Sequence, residues 1–114
     1  MANFYKDNED IQFLFRHLDI AKVAGLQEEN FKHAKDFDFA PQDAFEAKQN
    51  YEMVLDSLGQ LSADFIAPRS EDIDREGNVL NEDGTVSYAG GIADALDALA
   101  KAEVMGFTLP HRFG

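Results

Sequence analysis

The sequence predicts an all-α, bundle-like helical fold with one long acidic loop and a small hairpin. Two observations predict it. Apolar residues recur at helical spacing in three separate stretches. Between the second and third lies a charged break with Pro68, Gly77 and Gly84, where a few strand-like residues flank one Asp-Gly pair.

The first helix is read from "NEDIQFLFRHL". Asn8 is a good N-cap, because its side-chain oxygen can accept from the unpaired N–H groups of the first turn. Glu9 and Asp10 complement the helix dipole there. Ile11, Leu14, Phe15 and Leu18 fall at i, i+3, i+4 and i+7, a stripe that Phe13 widens. Asp19 then caps a short second helix, "IAKVAG", which Gly25 stops. From Leu26 to Phe39 the chain is polar with sparse apolar anchors, and reads as a short helix and a loop.

The strongest element follows. Pro41 suits a first helical turn, and Ala44, Ala47, Tyr51, Val54, Leu58, Leu61 and Phe65 then repeat in alternating steps of three and four. A helix from Pro41 to Ile66 would be about 39 Å long at 1.5 Å per residue. Pro68 is expected to end it, since a proline pushes the preceding residue out of helical geometry. Gly59 inside it costs about 1 kcal/mol relative to alanine. In the break that follows, Val79 and Leu80 are placed to pair with Thr85 and Val86 around the Asp83-Gly84 turn. Ser87 is expected to cap the last helix, with Ile92, Leu96, Leu99 and Val104 or Met105 on its buried face. Gly106 reads as its C′ residue and Phe107 as the apolar contact of a Schellman ending.

At 114 residues the chain is one domain's worth, and folding should bury roughly 65% of the surface of the unfolded chain. Ten Phe, three Tyr and no Trp make the expected core phenylalanine-heavy. The absence of cysteine excludes disulfides, thiolate metal sites and a cysteine nucleophile, and suits a cytoplasmic location. The start "MANFYKDNED" has neither the basic nor the apolar region of a signal peptide, and no run approaches a membrane span. With 22 Asp and Glu against 10 Lys and Arg, the net charge of -12 repels phosphate backbones and anionic membranes. No nucleic-acid partner is expected.

Three patterns suggest chemistry. Asp72, Asp74, Glu76, Gly77, Asn78 and Asp83 fall at positions 1, 3, 5, 6, 7 and 12 of an EF-hand calcium loop. Glu is long for the fifth position, Asp is short for the bidentate twelfth, and Pro68 and Gly84 interrupt the flanking helices, so the reading is a solvated acidic loop. "LDSLG" contains the Asp-Ser-Leu that carries phosphopantetheine in acyl-carrier proteins, but Ser57 falls mid-helix rather than at an exposed helix start. His17, His33 and His111 stand apart, without a second ligand at i+3 or i+4. Gly90-Gly91 has no preceding strand of the kind that builds a phosphate site. Bottom-up, no catalytic, cofactor-binding or metal-ligating residue is assigned.

Three stretches match a family in order. "FYKDNEDIQFLFRHLDI" resembles the N-terminal extension found in one large-subunit branch of the acyl-CoA dehydrogenases. "SADFIAPRSEDIDREGNVL" resembles that family's helix-to-loop segment, and "AKAEVMGFTLPHRFG" the stretch leading to its Gly-Gly turn. The resemblance implies a helical N-terminal segment, with 1–40 as an extension of short helices and 41–114 as the front of the family's helical domain. It further implies that the parent protein uses FAD to form an α,β double bond in an acyl-CoA thioester, passes electrons to an acceptor and is a homo-oligomer. The flavin contacts and the glutamate base lie in later domains by the same resemblance, so this segment is expected to bind no cofactor and to catalyse nothing alone. Its partners are then the remaining domains of the parent chain. Pro68, Asp74, Arg75, Glu76, Gly77, Gly106, Pro110 and Gly114 match as a helix stop, a capped turn and a chain reversal. The alternative is a stand-alone acidic helical module that offers the Phe-rich first helix or the long seam to a partner.

Overall fold

The structure, a computed structural model, describes residues 2–113. It is mainly helical with one two-stranded hairpin, in the order α1 (Glu9–His17), α2 (Ile20–Gln27), α3 (Ala44–Leu61), α4 (Ser70–Glu76), β1 (Val79–Leu80), β2 (Val86–Ser87) and α5 (Gly90–Lys101). Asn8 and Asp19 cap α1 and α2 as their sequence context predicts, accepting from the N–H groups of Ile11 and Lys22. Gly25 does not stop α2, which continues to Gln27. The chain then turns through a short 3₁₀ segment, where Glu29, Asn30 and Phe31 all take positive φ.

The backbone of the molecule is α3. It begins at Ala44 rather than Pro41, because Asp43 takes the N-cap and accepts from the Glu46 N–H at 2.9 Å. Glu46 reaches back to the Gln42 N–H at 2.8 Å, so two orphan donors are satisfied reciprocally. The seam from Ala44 to Phe65 faces inward: Ala47 is buried and the rest are half-buried, while Phe45 and Met53 off the seam are exposed.

Pro68 does not end this helix. The chain passes from α3 through a π turn at Ser62–Ile66 and a 3₁₀ turn at Ala67–Arg69 directly into α4. A proline in a regular helix lacks one N–H and drives its ring into the carbonyl four residues back. The π turn relieves this by pairing the Ala67 N–H with Ser62, five residues back. Arg69 repairs the ladder from its side chain, donating to the Phe65 carbonyl at 2.6 Å with its guanidinium 3.7 Å from the Phe65 ring centre. The expected loop is therefore helical as far as Glu76, and Gly77 ends it with φ of 69°.

The hairpin forms around Asp83-Gly84, pairing Val79 with Ser87 and Leu80 with Val86. Ser87 is thus in a strand and caps nothing. Helix α5 starts at Gly90 without a cap of its own: Glu76 accepts from the Gly90 N–H at 3.2 Å, and Asn78 from the Ala89 N–H at 3.0 Å. The end of α4 thereby caps α5 across the hairpin, and Ile73 packs where Gly91 has no side chain. Helix α5 stops at Lys101, short of Gly106, and Glu103 takes the left-handed conformation expected of the glycine, with φ of 57°.

The core is thin. The buried apolar residues among those described are Tyr5, Phe15, Ile20 and four alanines, and no large side chain is fully buried. The radius of gyration is 17.7 Å, against about 13 Å for a compact domain of this length. On α1 only Phe15 is buried, edge-on to Tyr5; Ile11, Phe13, Leu14 and Leu18 of its expected stripe are exposed.

Candidate functional site

A concavity of about 670 Å³ lies between the end of α2, the first half of α3 and the segment 100–111. Phe39, Pro41, Met105, Phe107 and Leu109 give it apolar walls. At its base three polar side chains from distant parts of the chain converge. Glu28, at the C-cap of α2, is 5% exposed. The Tyr51 hydroxyl donates to its Oε1 at 2.6 Å, and His111 Nε2 lies 2.6 Å from its Oε2. Burial, reinforced by the bond to Glu28, pushes the Tyr51 hydroxyl well above the usual phenol range, so it remains a neutral donor. Aromatic rings surround the group: Phe39 lies edge-on to His111 at 5.4 Å, and Phe107 to Tyr51 at 5.8 Å.

Sequence reasoning treats His111 as isolated and places Tyr51 only on an apolar seam. Their meeting at Glu28 depends on the 83 residues that separate His111 from it, and no local spacing encodes that. In the structure the chain turns just after Glu28, where Glu29, Asn30 and Phe31 take positive φ.

A second polar cluster anchors the N-terminus. Asn3, 3% exposed, donates from Nδ2 to the Asp56 carbonyl at 3.2 Å and its carboxylate at 2.7 Å. Its Oδ1 accepts from the N–H groups of Tyr5 and Lys6, both at 2.9 Å. The hook lies on Gly59, whose carbonyl accepts from the Phe4 N–H at 3.1 Å. A Cβ at Gly59 would sit 2.6 Å from the Tyr5 nitrogen, so this glycine is a contact surface rather than a flaw in the helix.

The acidic residues of the EF-hand-like pattern do not converge. Asp72 and Asp74 are exposed on α4, Glu76 caps α5, and Asp83 accepts from the Thr85 N–H and hydroxyl. Among the described residues no three His, Asp or Glu side chains are grouped so that they could hold a metal ion. Ser57 lies exposed on α3, and His17 stacks on Phe13 at 4.3 Å. Of the family-matched residues, Asp74, Arg75 and Glu76 lie on α4 and Gly77 ends it; Gly106 and Pro110 lie beyond α5. Gly114 is outside the described residues.

No family model, curated protein or solved structure matches this chain. Among the described residues no helix is long and apolar enough to cross a membrane.

Proposed function

We propose that the chain is the N-terminal helical segment of a FAD-dependent acyl-CoA dehydrogenase, part of a bundle-like domain that the rest of that protein completes. In this reading it walls one side of the acyl pocket and packs against the flavin-bearing domains, which supply the cofactor, the base and the electron acceptor's docking site. The parent acts in the cytoplasm as a homo-oligomer. The segment itself performs no redox chemistry.

The observation that carries this reading is the apolar surface left uncovered. Ile11, Phe13, Leu14 and Leu18 of the first stripe, Phe45 and Met53 on α3, and Met105, Phe107 and Leu109 beyond α5 are all between about two-fifths and three-quarters exposed. Large apolar side chains left open in this way are the material of surfaces that pack against other protein. The ordered resemblance of "FYKDNEDIQFLFRHLDI", "SADFIAPRSEDIDREGNVL" and "AKAEVMGFTLPHRFG" supplies the family. The same exposed α1 stripe also supports a stand-alone module that offers it to a partner helix.

The test is to read the gene beyond Gly114 and express its whole product. The dehydrogenase reading expects a flavin absorbance spectrum and acyl-CoA-dependent reduction of an electron acceptor by the whole product, with neither from residues 1–114. A reading frame that stops at Gly114 favours the module, and flavin binding with enoyl-CoA formation by residues 1–114 alone overturns the proposal.

A further inference from the structure

We propose that the cleft between α2, α3 and the segment 104–113 binds a small hydrophobic organic cation, an aromatic or alkyl amine whose ammonium group is drawn to Glu28 and Glu103. The cleft has the size of a small-molecule site, since its volume of about 670 Å³ falls within the roughly 300–1,000 Å³ that such sites occupy. It also has their composition, apolar walls with a few polar groups converging at one place. The inference stands apart from the dehydrogenase reading, because every wall belongs to the described chain.

Charge is the first feature that selects the ligand. Glu28 and Glu103 both line the cleft, and no Lys or Arg does. Arg112, next to His111 in the chain, lies 4.7 Å from the Phe113 ring instead. The imidazole of His111 is the one lining group able to offset a carboxylate, and two carboxylates outnumber it in either of its forms. The cleft is therefore negative with or without a proton on His111, and it attracts cations and repels anions. Glu28 is 5% exposed, so water and salt screen its field less than that of a surface carboxylate. Its oxygens meet the Tyr51 hydroxyl and His111 Nε2 singly, and each carboxylate oxygen has capacity for a second donor.

Aromatic surface is the second feature. Phe39, Tyr51, Phe107 and His111 line the cleft, and such rings attract a cation held over their faces, most strongly where water is excluded. The rings are held in place by one another. Phe39 stacks on Phe37 at 5.4 Å, and Phe37 and Phe39 meet His111 at 6.2 and 5.4 Å. Phe107 rests edge-on against Tyr51. This packing, with the contact of His111 to Glu28, keeps the segment 104–113 over the body and so preforms the cleft. Phe39, Met105 and Leu109 nevertheless stay 59%, 64% and 49% exposed, apolar surface that an occupant covers.

Three probes that share a naphthalene ring and differ in charge test this: naphthylmethylamine as its ammonium ion, naphthylmethanol and naphthoate. Each is titrated into the whole chain and followed by amide NMR shifts and amide hydrogen exchange. The ammonium ion should bind about tenfold more tightly than the alcohol, the scale of a desolvated cation–π contact, and naphthoate should not bind. Shifts and a gain in exchange protection should gather on residues 27–28, 50–51 and 103–111. Glu103→Gln, at an exposed rim position, should weaken the ammonium ion roughly threefold, as for an exposed ion pair, and leave the alcohol unchanged. Phe39→Leu keeps the wall apolar and should narrow the gap between ammonium and alcohol. Asp72→Asn, on α4 and outside the cleft, removes the same charge and should alter neither. The proposal is overturned if the ammonium ion fails to bind, or binds no better than the alcohol or naphthoate. Shifts centred on the exposed residues of α1 also overturn it. So does equal weakening by Asp72→Asn and Glu103→Gln, which would assign the attraction to the net charge of -12.

Discussion

The two ends of the described chain fold back onto the same helix by different means. Residues 3–6 hook onto the middle of α3 through a neutral amide and a missing side chain: Asn3 satisfies four polar partners, and Gly59 lets the backbone of Phe4 and Tyr5 lie against the helix. Residues 104–113 reach the first half of α3 and the end of α2 through a carboxylate and an imidazole. The first attachment is made of shape and hydrogen bonds, three of the four to backbone and one to the Asp56 carboxylate, with Lys6 beside it. The second gathers on a buried carboxylate, with the rings of Phe37 and Phe39 against His111 and that of Tyr51 against Phe107. A hook of the first kind depends on a missing side chain, because a Cβ at Gly59 would meet Asn3 and Tyr5 at 2.3 to 2.9 Å. The strap of residues 104–113 depends instead on one buried carboxylate, Glu28, and on the two side chains 2.6 Å from it.

The largest expected effect separates the two. Gly59→Ala puts a Cβ 2.6 Å from the Tyr5 nitrogen and 2.9 Å from its Cβ, where the obstacle is backbone and cannot swing aside. Helix propensity alone favours alanine by about 1 kcal/mol, but overpacking a close contact costs about 1–3 kcal/mol. The net prediction is a destabilised chain in chemical denaturation, with protection lost at residues 3–8 while the strap keeps its own. A stabilised Gly59→Ala variant would mean that the hook does not lie on α3.

That sign reversal shows where sequence reading stops. The seam of α3, the caps at Asn8 and Asp19 and the Asp83-Gly84 hairpin are all local patterns, set by residues within a few positions of each other, and each is found where its pattern puts it, except that the second strand is Val86–Ser87 rather than Thr85 and Val86. Pro68 is also local, but its effect depends on whether the helix can slip into a π turn and whether Arg69 can reach the Phe65 carbonyl. The cap of α5 comes from Glu76, fourteen residues back, so Ser87 was the only candidate within local reach. Gly59 and Glu28 owe their roles to partners about 55 and 83 residues away, and nothing adjacent to either residue marks them.

An intermediate effect probes the strap from the helix side. Tyr51→Phe removes the donor to Glu28 Oε1 and leaves half of a buried carboxylate without a partner, which costs about 1–3 kcal/mol. The phenyl ring stays, and with it the edge-on contact to Phe107. Thermal unfolding should therefore fall while the Phe107 contact persists. A Tyr51→Phe variant that melts with the wild type would mean that this hydroxyl does not satisfy Glu28.

The smallest effect tests whether the hook is as indifferent to charge as its geometry implies. Lys6 Nζ lies 2.7 Å from Asp56, and this bond, helped by the one from Asn3, holds the Asp56 carboxyl below the usual carboxylate range. A depressed folded value means the carboxylate contributes stability above the ordinary range, and that contribution is lost as pH falls through the folded value. Both side chains are substantially exposed, so solvent screens the pair and its share is small. Asp56→Asn removes the charge but keeps an oxygen where Asn3 Nδ2 donates, and the Asp56 backbone carbonyl still accepts the second bond. Protection at residues 3–8 should survive in Asp56→Asn at neutral pH, and its decline on acidification should become shallower than in the wild type. Loss of the hook at neutral pH in this variant would mean that charge, not the fit of Asn3 against Gly59, holds the N-terminus, and the contrast between the two ends of the chain would disappear.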